Sequence, residues 1–191
     1  MHRVNEPVPD STHIRCLHEI NDRDIQGLSE VLIDCVEGGA SVSFMLPMSR
    51  AKAEAFWSSV SMSLARGERL VLTAEDTAGA IIGTVQVAWA QPENQPHRAD
   101  IAKMLVHRRA RRRGVGAALL RAAERCALRA GRTLLVLDTV SGGDAARLYA
   151  AQGWQRCGEI PQYALWPDGE LCSTTIFYKL LDDLSFAATA G

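Results

Sequence analysis

Apolar and polar positions alternate along this chain with two periods, and the switches between them mark out its elements. Ile14 to Glu19 reads as a short first strand. Asp22 to Glu37 places apolar residues at 25, 28, 31, 32, 35 and 36, one face of a helix, which Gly38-Gly39 stops. A second helix starts near Ser49, a suitable N-cap, buries Ala53, Phe56, Trp57, Val60 and Leu64, and ends at Gly67. Strands over Arg69 to Glu75 and Ala80 to Ala90 follow, joined by a turn around Asp76 to Gly79. Arg98 to His107 is a further strand, and Gly114 to Ala130 a long helix with alanines and leucines inside, closed by Gly131. The nearly continuous apolar run TLLVLDT, Thr133 to Thr139, suits a central strand buried on both faces. A short helix over Ala145 to Ala151 is stopped by Gly153. Trp154 to Trp166 and Leu171 to Leu181 then form a hairpin turned by Pro167-Asp168-Gly169. Helices and strands in this order predict an α/β chain with a mixed sheet rather than a repeated βαβ alternation.

No internal repeat, linker or low-complexity block divides residues 12–182, so they read as a single domain, with 1–11 and 183–191 as loose tails. The whole chain has 191 residues, 47% hydrophobic and 23% charged, ordinary for one soluble globular domain. Its formal net charge is -1, from 21 Lys and Arg against 22 Asp and Glu, so nothing draws it as a whole to nucleic acid or an anionic membrane. No apolar run approaches the roughly 20 residues of a membrane span, and the start lacks a secretory apolar stretch, which together predict a cytoplasmic protein. The five cysteines form no C-x-x-C pair and read as small, reduced core residues; no metal site is expected.

Phosphate binding on such a chain must be local, and the stretch KMLVHRRARRRGVGAALL, residues 103–120, has the means for it. A strand runs into an arginine-rich loop, two glycines spaced by one residue, and a helix. The first N–H groups of a helix have no internal acceptor and carry about half a positive charge, so a pyrophosphate binds there. Gly114 and Gly116 remove side chains that would keep phosphate oxygens away. The spacing is neither that of a Walker loop nor that of a dinucleotide fingerprint. A solvated basic loop, or a nuclear-localisation or nucleic-acid patch, is the other reading of these arginines.

Residues Arg111 to Gly116 do fit Gln/Arg-x-x-Gly-x-Gly/Ala, and with GGASVSFM at 38–45, HRADIAKMLV at 97–106, LDT at 137–139 and GEIPQYALWPDGEL at 158–171 the chain resembles the GNAT superfamily of acetyltransferases, and within it the tabtoxin-resistance acetyltransferases. The resemblance runs from about residue 38 to residue 180. It implies a central, mostly antiparallel sheet with one parallel pair splayed around coenzyme A, flanked by about four helices. It also implies acetyl-CoA as acyl donor, held by Met104, Leu105, Val106, Arg111, Arg112, Arg113, Gly114, Val115, Gly116 and Ala117, with a strand N–H such as that of Leu105 at the thioester oxygen. No metal is needed, and a homodimer is possible.

Three catalytic candidates follow from the same resemblance. Asp100, four residues before Met104, lies where many such enzymes carry a glutamate base, and its shorter side chain favours a water relay. Asp138, ending the buried strand, can bind the acceptor ammonium or share the base role. Each also reads structurally, Asp100 as a carboxylate on an exposed strand face, Asp138 as a cap of the loop SGGD or the partner of an arginine. Tyr149, in LYAAQGW, can protonate the departing thiolate or be a half-buried structural tyrosine. Gly142 stands where many relatives have an asparagine that contacts coenzyme A. Gly38 to Phe44, Trp57, Tyr163 and Trp166 are acceptor-side candidates, and His97 and His107 read as surface histidines. The activity implied is acetylation of a small-molecule amine by direct attack; the alternatives are acetylation of protein N-termini or lysines, or a CoA-binding module without turnover.

Overall fold

The computed structural model describes residues 12–182; the tails read at 1–11 and 183–191 lie outside them. The strands are β1 His13–Leu17, β2 Arg69–Glu75, β3 Ile81–Trp89, β4 Arg98–Val106, β5 Leu134–Val140, β6 Gln155–Leu165 and β7 Leu171–Leu180. The helices are α1 Asp22–Glu37, α2 Arg50–Ala65, α3 Val115–Arg129 and α4 Asp144–Ala151. The strands form one seven-stranded sheet in the order β1-β2-β3-β4-β5-β7-β6. Every neighbouring pair is antiparallel except β4–β5.

Local chemistry sets the helix starts. Asn21 accepts from the Asp24 N–H and the Asp24 carboxylate accepts from the Asn21 N–H, a reciprocal cap of α1. Ser49 caps α2 through the Lys52 N–H. Leu28, Val31, Leu32 and Val36 of α1 and Ala53, Trp57 and Val60 of α2 are buried on one face of the sheet, with Val71 and Leu105. On the opposite face Leu119, Leu120, Ala123 and Ala127 of α3 pack with Val85, Val87, Ala99, Ile101, Leu135, Leu137 and Phe177.

Strand β5 departs from the expectation of burial on both faces. Leu135 and Leu137 are buried under α3, but Leu134 and Val136 are only half-buried and Asp138 is exposed. The α1–α2 layer packs against β1–β4 and stops short of β5, so that face of the strand stays open. The cysteine expectation also needs correction: all five are free, but Cys157 is exposed on the edge strand β6.

One buried polar network ties the layers together. Glu124 of α3 accepts from the Trp154 indole N–H at 2.8 Å and from Lys179 Nζ of β7 at 2.8 Å, and Lys179 also donates to the Gln152 carbonyl at 2.8 Å. Replacing Glu124 by leucine strands the Lys179 ammonium, which should lower unfolding free energy by about 3 kcal/mol or more. Adding Lys179→Met should recover part of that loss in denaturant titrations.

Candidate active site

The loop after β4 is built by ion pairs that fix its first half. The Asp34 carboxylate of α1 accepts from the Arg108 backbone N–H at 2.7 Å and from Arg108 Nε at 2.9 Å, and lies 3.4 Å from His107 Nδ1. Burial pushes the Asp34 carboxyl up, but those partners outweigh it and hold the group below the ordinary carboxylate range. Arg109 pairs with Asp76 at 3.1 Å, and Arg111 folds back so that its Nε donates to the Val106 carbonyl at 3.1 Å. The exposed Arg112 and Arg113 complete the loop. Four of the six basic positions the sequence grouped together, His107, Arg108, Arg109 and Arg111, thus first serve to shape the turn.

That turn delivers an uncapped helix end. Gly114, with φ 79°, is the N-cap of α3 and offers no side chain to it. The first intrahelical bond runs from the Ala118 N–H to the Gly114 carbonyl at 3.0 Å, which leaves the N–H groups of Val115, Gly116 and Ala117 without an intrahelical acceptor. Gly114 is needed for its left-handed backbone. Gly116 has a packing reason besides the one its sequence position suggests. A Cβ there would stand 3.0 Å from Leu148 Cδ2 and 3.8 Å from Val106 Cγ2, so this glycine also lets α3 approach α4 and β4.

The sheet opens beside this cradle. Strand β4 pairs with β5 only through Arg98–Leu134, Ala99–Leu135 and Asp100–Val136, and beyond Asp100 its edge has no strand partner. On its other side β4 keeps pairing with β3, with one extra residue between Ala102 and Leu105. Lys103, at φ 48°, sits in that bulge. Met104, Leu105 and Val106 therefore line the open stretch, Leu105 under α1 and α2 and the other two against the α3 core.

The structure brings Asp100 and Asp138 to the same face of the sheet, opposite the buried Ala99, Ile101, Leu135 and Leu137, at the mouth of the gap. They differ in their partners. Asp100 is paired with Arg98 Nη1 at 2.5 Å, whereas exposed Asp138 makes no ion pair among the described residues, so the arginine partner considered for Asp138 is found at Asp100. Tyr149 lies on the α3 face, its ring buried 5.9 Å from Trp154 and 6.0 Å from Phe177 by centroid. Burial first, and the negative charge of Asp138 second, push its phenol well above the ordinary tyrosine value. The expected half-buried tyrosine is thus a fully buried one, protonated at neutral pH. Gly142 holds a left-handed turn, φ 74°, before α4, and its carbonyl accepts from Arg147.

Of the acceptor-side candidates, Gly38 to Phe44 lie on the α1–α2 side of the sheet, where Ala40, Val42 and Phe44 pack against that cluster. Ser41 Oγ donates to the Leu165 carbonyl at 2.7 Å and the Leu46 N–H to the Pro167 carbonyl at 3.0 Å, which docks this loop on the β6–β7 hairpin. Phe44 stacks edge-on against Phe56 at 5.1 Å. Trp57 is fully buried and belongs to the core, while Tyr163 is exposed and Trp166 half-buried on the hairpin. His97 is exposed; His107 is half-buried and accepts from the Arg109 N–H, a capping role its sequence position did not announce. Sequence reading missed Lys103, whose Nζ donates to Ser43 Oγ at 3.1 Å. Its signal was a lone charge inside the apolar run IAKMLV. Among the described residues no group of His, Cys, Asp and Glu is arranged to hold a metal ion.

Two measurements check this geometry. Because the folded pKa of Asp34 is depressed, its stabilisation is present above the unfolded value near 4 and fades as pH falls through the lower folded value. Asp34→Asn should therefore melt below wild type at pH 7, with the difference closing in acid. Gly116→Val should destabilise by about 1–3 kcal/mol through overpacking against Leu148, and Leu148→Ala in the same chain should relieve at least half of it.

Comparison with known proteins agrees with this architecture. The model of the acetyltransferase (GNAT) domain matches residues 67–156, from just before β2 to the start of β6. An N-acetyltransferase from Staphylococcus aureus Mu50 superposes with TM-score 0.74 at 16% identity, covering 90% of this chain and 99% of its own. A ribosomal-protein-alanine N-acetyltransferase from Brucella melitensis gives TM-score 0.72 at 22% identity, covering 88% and 99%. A GNAT superfamily phosphinothricin acetyltransferase from Sinorhizobium meliloti, solved with acetyl-CoA, gives TM-score 0.73 at 18% identity, covering 90% and 89%. The chain thus has the GNAT acetyltransferase fold and carries, over residues 67–156, a match to the acetyltransferase (GNAT) domain.

Proposed function

We propose that the protein is an N-acetyltransferase that binds acetyl-CoA along the open edge of β4 and transfers its acetyl group to the amine of a small molecule. The observation that carries this reading is the uncapped start of α3, with its free N–H groups and the Arg111 to Arg113 turn, set directly after a strand edge that has lost its partner. A diphosphate suits the helix end, and an amide-bearing arm suits an unpaired strand edge. Both features fall inside the stretch that matches the acetyltransferase domain.

The chain's own residues divide the chemistry. An ammonium is not a nucleophile, so a carboxylate takes its proton first. Asp138 is favoured for that step because it is unpaired, while Asp100, held by Arg98, is favoured for orienting the ammonium. The amine attacks the acetyl carbon, the C–S bond breaks, Tyr149 supplies a proton to the sulfur, and the second proton lost by the nitrogen passes through water to restore the phenol. What supports the role of Tyr149 is a hydroxyl that makes no hydrogen bond within the described residues and so has its proton free to give; burial and Asp138, which raise the phenol pKa, make it a weaker acid that must be drawn on by the developing thiolate charge. The 38–46 loop, docked onto the hairpin, would bound the acceptor side on one flank, which favours a small molecule over a protein tail. The phosphinothricin acetyltransferase among the structural neighbours lends some support to an antibiotic- or toxin-like acceptor. A cytoplasmic location belongs to the same reading.

Calorimetry should detect acetyl-CoA binding, and thiol release should follow addition of small amines and not of N-terminal peptides; release with peptides alone would overturn the acceptor class. With a turned-over amine, Tyr149→Phe should lower kcat on the order of 10²-fold with little change in KM for acetyl-CoA. Asp138→Asn should lose comparable activity together with the acidic limb of the kcat/KM profile, whereas Asp100→Asn should act mainly on the KM of the amine. The reverse pattern would assign the base to Asp100.

A further inference from the structure

Lys103 takes no part in the chemistry described so far, yet the fold goes to some length to hold it. Its half-buried ammonium donates to Ser43 Oγ at 3.1 Å and stands 5.9 Å from the ring centroids of both Phe44 and Phe56. Both hydrogen-bonded residues are non-glycines in the left-handed region, Ser43 at φ 74° and Lys103 at φ 48°. Each such position is unfavourable by on the order of 1 kcal/mol, so the pairing persists only because the surrounding structure imposes it. Strain of this kind concentrates at binding sites.

The charges around the ammonium are unbalanced. Lys103 makes no ion pair within the described residues. Asp138 exerts an attraction from a distance and Arg69 a repulsion, and burial, the largest effect, disfavours the charge, so the group titrates below an ordinary lysine. Lys52 places a second ammonium 5.8 Å from the Phe44 ring. Arg98 already neutralises Asp100. A cation partly removed from water and lacking a counter-ion is a receptor for an anion. One ammonium beside one hydroxyl suits a singly charged carboxylate; a phosphate draws several donors.

We propose that Lys103, with Ser43, is the counter-ion for a carboxylate on the acceptor, so that the preferred substrates are amines that also carry an acid group. The acceptor's ammonium then lies toward Asp138 and its carboxylate toward Lys103. This rests on the acetyl-transfer reading above and names its substrate class. Lys103 is a specificity determinant that touches the acceptor away from the reacting atoms.

The test pairs common L-amino acids and ω-amino acids with their carboxamides, on wild type, Lys103→Met, Lys103→Arg and Ser43→Ala. Thiol release is measured with acetyl-CoA, and acid and amide binding by calorimetry on the CoA-saturated protein. Wild type should prefer the acid member of at least one pair. Lys103→Met should raise the KM and Kd of that acid about ten- to hundredfold and leave its amide unchanged, the size expected for one charged hydrogen bond. Lys103→Arg should keep the preference. Ser43→Ala should weaken the acid by a smaller factor, which preserves the test should Lys103→Met not fold. Equal use of acids and amides by wild type, or a preference that survives in Lys103→Met, overturns the proposal while leaving acetyl transfer standing. If no amine supports thiol release, acetyl transfer itself fails, and the calorimetry alone then judges Lys103: acid-selective binding lost in the methionine variant upholds the anion site, and its absence overturns it.

Discussion

Strand pairing between β4 and β5 ends at Asp100, and the arrangement of everything chemical in this molecule depends on that ending. An unpaired strand edge inside a protein leaves N–H and C=O groups that need partners. The edge is tolerated because each strand is secured elsewhere. Strand β4 keeps its ladder to β3, and β5 pairs with β7 along its full length from Leu134 to Val140. The two halves of the sheet are held together on the α3 face, where Val85, Leu119, Leu135 and Phe177 belong to one buried cluster. The cluster under α1 and α2 takes its strand residues from β1, β2, β3 and β4 and includes none from β5, β6 or β7. Cohesion on one face is therefore compatible with separation on the other.

This asymmetry sorts the polar groups. Tyr149 belongs to the α3 side, buried and uncharged, next to the helix whose start lacks a cap. Asp100, Asp138 and Lys103 belong to the other side, where the helical layer stops and water or a ligand can reach. Only Asp138 is felt on both, by the Tyr149 phenol and by the Lys103 ammonium. A carboxylate in that position raises the proton affinity of the one and favours the charge of the other.

What the sequence made legible follows from what is periodic. The helix over Asp22–Glu37 and the strand over Arg69–Glu75 were readable to the residue, because capping residues and glycines bracket clean apolar patterns. The element order and the glycine-marked loop were readable for the same reason. The packing role of Gly116 was not, since a glycine's sequence position does not say which neighbour its missing Cβ would meet. Neither was the pairing of Asp100 with Arg98, which depends on side-chain rotamers two residues apart on one strand face. Lys103 was hidden by the bulge: strict alternation would read it as one more strand position, and the added residue turns it toward Ser43 and Phe44 instead.

Regular structure alone does not carry the features that border the open face. Solved structures at 16–22% identity reproduce the fold with TM-scores of 0.72–0.74, although they bear names as different as ribosomal-protein-alanine and phosphinothricin acetyltransferase. A scaffold shared so widely cannot by itself select an acceptor. Among the described residues the non-glycines in left-handed backbone are Ser43, Lys103, Arg112 and Gln162, one in the turn before α3 and the others in the α1–α2 loop, the β4 bulge and the β6–β7 hairpin. Those last three segments are the ones that border the open face of β4 and β5, and the first and third are hydrogen-bonded to each other through Ser41 and Leu46. Backbone strain is retained where the surrounding fold over-determines it, and here three of the four positions lie along the rim of the open face.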